Sequence, residues 1–230
     1  MTKIRLSLRT VAIAACLTVT MFASCKKDPM PDPVLLLEEI SVAYGERFVF
    51  EYDDQDRIEK LTVYDISGQK FAFVIYKYNA VGDLEELIIE DIINSETILI
   101  TLSRNGKIIT SSDGEVIELN DQGFPVKYGV EPNIVTYTWE NGNQIKEEWT
   151  GGGNTFTYYD DTKTPFFYSK TPKWVLWLDW RSYGYHNANN IEKITESSGT
   201  RTYEYRYNDD DLPIEKKGLG FTETYKYLKR

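Results

Sequence analysis

The stretches FEYDDQDRIEKL (50–61) and YKYNAVGDLEEL (76–87) carry an aromatic, a polar turn and a leucine at matching distances. Aligning Tyr52 with Tyr78 brings Ile58 onto Leu84 and Leu61 onto Leu87. The rule is an anchor, five polar or turn residues, then an apolar residue or Pro at plus six. It continues through Leu102/Ile108, Leu119/Pro125, Trp139/Ile145, Tyr159/Pro165, Tyr185/Ile191 and Tyr207/Pro213. Eight instances at spacings of 17 to 26 residues make a repeat, and a repeat constrains the fold before any other signal does.

The segments inside each instance (DDQDR, NAVGD, SRNGK, NDQGF, ENGNQ, DDTKT, HNANN and NDDDL) are clusters of Asn, Asp and Gly. These residues tolerate positive φ or hydrogen-bond their own backbone. Between them falls a second kind of turn, exemplified by Ser67-Gly68, Asp113-Gly114, Gly151-Gly152-Gly153 and Ser198-Gly199. The runs between turns alternate: TRTYEYRY places Tyr203, Tyr205 and Tyr207 on one face and Thr202, Glu204 and Arg206 on the other. Period-two alternation rich in aromatics predicts strands. The expected fold is all-β, one antiparallel meander of about 14–17 strands, and open sheets beyond about ten strands curl. The curling predicts a barrel or half-barrel, whose bore would be wet unless something filled it. The one long gap in the alternation, FFYSKTPKWVLWLDWRSYG, spaces Trp174, Trp177 and Trp180 by three residues. That spacing predicts a short helical piece acting as a plug or cap.

At the N-terminus, Lys3, Arg5 and Arg9 precede a 13-residue apolar run, Val11 to Ala23. A membrane-spanning helix needs about 17–25 residues, so residues 1–24 read as a secretory signal peptide. The run ends in Phe22-Ala23-Ser24-Cys25, which resembles the lipobox of bacterial lipoproteins. The resemblance implies acylation of Cys25, anchorage in a membrane and, with Lys26 rather than Asp following, the outer membrane of a Gram-negative cell. Cys25 is the only cysteine of the exported portion, so it has no disulfide partner. Residues 25–36, with Pro29, Pro31 and Pro33, read as a semi-rigid tether, and 37–230 as a single domain. Losing Lys3, Arg5 and Arg9 moves the net charge from −10 to −13, which argues against nucleic acid as a partner.

The aromatic–Asp/Asn–x–x–Gly–x–Leu pattern resembles the YD repeats of bacterial RHS proteins. Lipobox, Pro tether and degenerate YD-like hairpins with variants such as GFPVKY and DLPIEK are together similar to a family of Gram-negative lipoproteins with a porin-like fold. That family has no known function, so the resemblance implies a fold and an address and brings no catalytic residues.

The chemistry-bearing residues are sparse. His186 is the only histidine, so a zinc site would have to rest on carboxylates, and no metal site or cofactor is expected. Asp53-Asp54-Gln55-Asp56, Asp160-Asp161 and Asp209-Asp210-Asp211 could chelate calcium, but each occupies a turn where Asp is wanted for backbone reasons. Trp174, Trp177 and Trp180, with Tyr168 and Tyr183, are the candidate ligand-binding group: sugar rings stack on such faces, while rows of aromatics also fill cores. The reading is a lipid-anchored, non-catalytic binding or scaffolding module for a glycan or protein ligand. The alternative is a carbohydrate-active or other hydrolase using an acidic pair. A transmembrane pore is disfavoured by Glu51, Glu204, Arg206 and Lys226 on the second faces of the strands.

Overall fold

The computed structural model describes residues 33–180, 183–218 and 220–230; the expected signal peptide, Cys25 and most of the tether lie outside the described residues. The first wall is built from β1 (Leu35–Val42), β2 (Arg47–Tyr52), β3 (Ile58–Tyr64), β4 (Lys70–Tyr78) and β5 (Leu84–Asp91). β6 (Glu96–Asn105) passes from this wall to the second: Glu96–Thr101 pair with β5, and Leu102–Asn105 pair with β7 (Ile108–Ser111). The second wall continues through β8 (Val116–Leu119), β9 (Pro125–Val130), β10 (Asn133–Glu140), β11 (Asn143–Trp149) and β12 (Asn154–Lys163). It ends with β13 (Asn189–Glu196) and β14 (Gly199–Thr202). After Tyr203 the chain returns to the first wall as β15 (Glu204–Tyr207), β16 (Pro213–Gly218) and β17 (Phe221–Lys229). The only helix among the described residues, α1 (Lys173–Trp180), lies between β12 and β13.

Closure comes from the chain ends. β1 pairs antiparallel with β17 from Leu35↔Lys229 to Val42↔Glu223 and with β2 on its other side. Counting β14 and β15 as one bent strand leaves 16 members joined by 16 antiparallel pairings. An antiparallel meander closes only on an even number, because neighbours alternate in direction. The expected choice between barrel and half-barrel is therefore settled as a nearly closed barrel. On the outside of the seam, Glu39 of β1 accepts from Lys226 of β17 at 2.6 Å and from Arg47 of β2 at 3.2 Å. Burial pushes the Glu39 carboxyl up, but Lys226, Ser41 and Arg47 together hold it below the ordinary carboxylate value.

The repeat has a local cause. Asp53 Oδ1 accepts from the backbone N–H groups of Gln55 and Arg57 (both 2.9 Å), and Asn79 Oδ1 from those of Val81 (3.1 Å) and Asp83 (3.0 Å). Asn120 and Asn208 make the same two bonds to the residues two and four positions on. In each turn the residue at plus four stands in the left-handed region: Asp56 (φ 61°), Gly82 (90°), Gly123 (82°) and Asp211 (60°). The extra residue is a bulge, and it sets anchor against plus-six residue: Tyr52↔Ile58, Tyr78↔Leu84, Leu119↔Pro125 and Tyr207↔Pro213 are cross-strand partners. Pro is tolerated at plus six because it opens a strand. Asp65, in a turn of the second kind, makes the identical pair of bonds, so the two kinds differ less in geometry than in position.

Aromatic side chains, among them the anchors Tyr78, Trp139 and Tyr159, clasp the preceding hairpin. Tyr78 Oη donates to the Ile58 carbonyl at 2.9 Å, Tyr159 to Gln144 at 2.6 Å, Tyr205 to Ile191 at 3.0 Å and Tyr227 to Pro213 at 2.7 Å. Trp139 Nε1 does the same to Pro125. The aromatic thus buries its ring while its polar tip is satisfied.

Four expected pairs do not form. Leu102 faces Ser111 instead of Ile108, because β6 is long and turns only at Gly106. Trp139 faces Gln144, one short of Ile145. Tyr159 pairs with Ile191, not Pro165, and Tyr185 lies outside any strand. Residues 164–188 are therefore an insertion that splits one repeat, taking the anchor from one apparent instance and the plus-six residue from the next.

Asn120→Ala, which strips the acceptor from two turn N–H groups, and Tyr78→Phe, which strips the donor from the Ile58 carbonyl, should each lower stability by about 1 kcal/mol. The measurement is a lower urea midpoint at unchanged slope. Asp121→Ala in the same turn, which removes an exposed ion pair with Lys107, should stay within about 0.5 kcal/mol of wild type.

Candidate functional site: the plug and the cavities it leaves

The insertion enters the bore at the end carrying the Asn/Asp-capped turns. Lys170 N–H donates to the Asp56 carbonyl at 2.9 Å, and Ile58 N–H donates to Thr171 Oγ1 at 2.8 Å. α1 is two turns long, too short to be stable alone, and it is held by burial on nearly every side. Trp180 packs edge-on against Phe48 (5.4 Å between ring centres) and tilted against Phe50 (5.6 Å) on one wall. Trp177 packs against Tyr128 (5.3 Å) and Tyr137 (5.1 Å) on the other. The helix bridges the walls and fills the bore, as its Trp spacing predicts.

Trp174, Trp177 and Trp180 are 2, 0 and 4 % exposed, so none offers a ring face to a sugar. Tyr168, before the helix, is half-buried with its hydroxyl 3.2 Å from Lys163 Nζ. Tyr183, after it, is 36 % exposed and stacked on Tyr185. The three tryptophans serve as filling, Tyr168 and Tyr183 keep part of their surface open, and the remaining spaces lie beside the plug.

The return limb is tied to the wall by a buried polar knot. Glu223 Oε2 accepts from Tyr185 Oη and Tyr225 Oη, both at 2.5 Å, with Lys216 Nζ at 3.6 Å. Burial pushes the Lys216 ammonium down and Glu223 partly restores it, while the Tyr203 ring lies 4.8 Å from the nitrogen. Next along the limb, His186 is 1 % exposed and neither ring nitrogen has a hydrogen-bond partner. Burial, reinforced by the charge of Lys173, pushes its pKa down to about 3, so it is neutral at ordinary pH.

Two cavities flank the plug and reach the end opposite the capped turns. The polar one, about 240 Å³, is lined by Gln144, Glu147, Thr157, His186, Asn187 and Arg201 among others. The apolar one, about 140 Å³, is walled by Leu87, Ile89, Ile100, Leu102, Ile109 and Ile117. Leu178 and Asp179 of α1 also line it, with Asp113 and Glu115 of the β7–β8 turn at its rim. Asp179 keeps an open surface, and that surface faces this cavity. Desolvation by the apolar side chains around it pushes the Asp179 carboxyl up to about 6, against a smaller opposing effect of Tyr76. The Tyr76 hydroxyl lies beside it, itself raised by burial and by that carboxylate, without a hydrogen bond of normal geometry.

The acidic clusters are spent on backbone. Asp53 and Asn208 cap turns, Asp56 and Asp211 take the left-handed positions, and Asp160 accepts from the Thr162 and Asn190 N–H groups and from Tyr207 Oη. Among the described residues no three His, Cys, Asp or Glu side chains come together to hold a metal ion. Reading residue types along the chain missed Asp179. The available signal was an acid inside a run of eight residues that is otherwise Trp, Val and Leu after its first lysine.

No protein-family model and no curated protein matches the sequence. Among solved structures the chain is similar to a porin-like protein from Bacteroides uniformis, at 15 % identity and a TM-score of 0.32, covering 87 % of this chain and 100 % of that one. It is also similar to a porin-like protein from Bacteroides vulgatus, at 12 % identity and a TM-score of 0.39, covering 84 % of this chain and 99 % of that one.

Above its ordinary pKa of 6.5, His186 is neutral whether the chain is folded or not. As pH falls toward about 3, the unfolded chain takes up a proton that the buried ring refuses, and stability is lost through that window. His186→Phe should remove this share: thermal melts at pH 7 and pH 4 should show a smaller drop in the variant than in wild type.

Proposed function

We propose that this protein is a membrane-anchored, non-catalytic binding barrel, held at the outer membrane by a lipid on Cys25 and offering dead-end cavities to small ligands. The observation that carries the reading is the plug. A ring of 16 antiparallel members could enclose an aqueous channel, yet here α1 and its tryptophans occupy the bore. The outer wall supports the same reading. Lys60–Glu51, Lys77–Glu86 and Lys146–Glu148 pair across its surface at 2.7–2.9 Å, charges that a lipid-facing strand would carry at a cost of several kcal/mol each. Such pairs add little stability, but they suit a wall facing water. Attachment then falls to the lipid on Cys25.

The test has two arms. In a Gram-negative host fed an alkyne-bearing palmitate, the wild-type chain should acquire the label and Cys25→Ser should not. Added to planar bilayers, the purified protein should give no single-channel conductance. Label retained by Cys25→Ser, or discrete ion-conducting steps, would remove the reading.

A further inference from the structure

The apolar cavity poses a question that packing does not answer: why a carboxylate stands on its floor. Asp179 is the one exposed side chain of α1, and the space its open surface faces is otherwise walled mainly by Leu and Ile, so its carboxylate is placed to meet a cation that enters. Among the described residues no ion pair reaches Asp179, and no Lys, Arg or His is among the described residues lining the cavity. Tyr76, 4 % exposed, leaves its hydroxyl beside that carboxylate without a hydrogen-bond partner. The rim repeats the sign of the floor, with Asp113 and Glu115 at the mouth. Elsewhere in the bore the acid of the Glu223 knot has its cation and two hydroxyls, so the fold meets the needs of a buried carboxylate where the need is structural.

We propose that this cavity binds a small organic ammonium ion, its apolar body between the β5–β8 side chains and its charged nitrogen on Asp179. The proposal rests on the binding reading above and names the ligand class for one of its cavities. Size supports it: at about 140 Å³ the space is close to the roughly 150 Å³ apolar cavity that takes up a benzene ring. Charge supports it as well, since three carboxylates line the cavity and no positive side chain among the described residues competes for the floor. An ammonium there gains a charge-assisted hydrogen bond to Asp179, stronger than one between neutral groups. An uncharged molecule of the same shape gains only the apolar contact, and an anion meets like charge at both ends.

The experiment is calorimetric titration of the purified full-length protein with benzylammonium and with benzyl alcohol, at neutral pH. Wild type should bind the ammonium at least about tenfold more tightly than the alcohol, the difference expected of a hydrogen bond to a charged group. Asp179→Asn should bring the two probes level. Ile117→Phe, which fills the cavity from its wall, should abolish both. Equal affinities in wild type, ammonium binding unchanged by Asp179→Asn, or binding of neither probe would overturn the proposal. Loss of the apolar-cavity signal while polar compounds still titrate into the His186 cavity removes this assignment alone. Silence in both cavities removes the binding reading with it.

Discussion

Every larger feature of this barrel rests on one small hydrogen-bonded unit, the side-chain oxygen of Asp or Asn holding two backbone N–H groups at the start of a turn. At Asp53, Asn79, Asn120 and Asn208 that oxygen fixes a turn of five residues whose fourth must stand at positive φ. The odd residue forces a bulge, and the bulge decides which side chains face inward. An aromatic just before the turn therefore lands in the interior, where at Tyr52 and Tyr78 its polar tip reaches a carbonyl of the preceding strands. Turn chemistry, register and repeat-to-repeat linkage are one constraint seen at three scales. Substituting the aromatic removes the clasp; substituting the Asn or Asp removes the reason the aromatic points at it.

The same constraint explains the plug. Sixteen wall members tied at this spacing enclose more room than inward side chains can fill. The insertion at 164–188 supplies the missing volume by splitting a single repeat, which leaves Tyr159 and Ile191 paired as if nothing lay between them. A helix laid across the bore touches both walls along its length but cannot match every contour. The two cavities are the remainder, one beside Leu178 and Asp179, the other beside His186.

The regular part of this architecture was legible in the residues. Alternation gave strands, Asx and Gly clusters gave turns, and the anchor-to-plus-six spacing gave true cross-strand pairs at four positions. Where the rule failed, a physical competitor is visible. Tyr159/Pro165 and Tyr185/Ile191 satisfy the spacing by coincidence because Pro and Tyr also serve the insertion, and local sequence does not say that two half-repeats are to be joined across 31 residues, from Tyr159 to Ile191. Trp174, Trp177 and Trp180 were placed in the right element, while their burial depended on both walls arriving. Asp179 was hidden because an exposed acid reads as a residue facing bulk solvent until the fold shows that its open surface looks into a cavity walled mainly by Leu and Ile.

The pairing of β1 with β17 sets an order on biosynthesis. A growing chain can assemble most of its hairpins one after another, since each needs only its neighbour in sequence. Until the final nine-residue strand, Phe221–Lys229, arrives, the growing sheet has two raw margins, and both are templates for a stranger's strand. Loss of those nine residues would therefore do more than shorten the molecule: it would turn a ring into a ribbon with sticky ends.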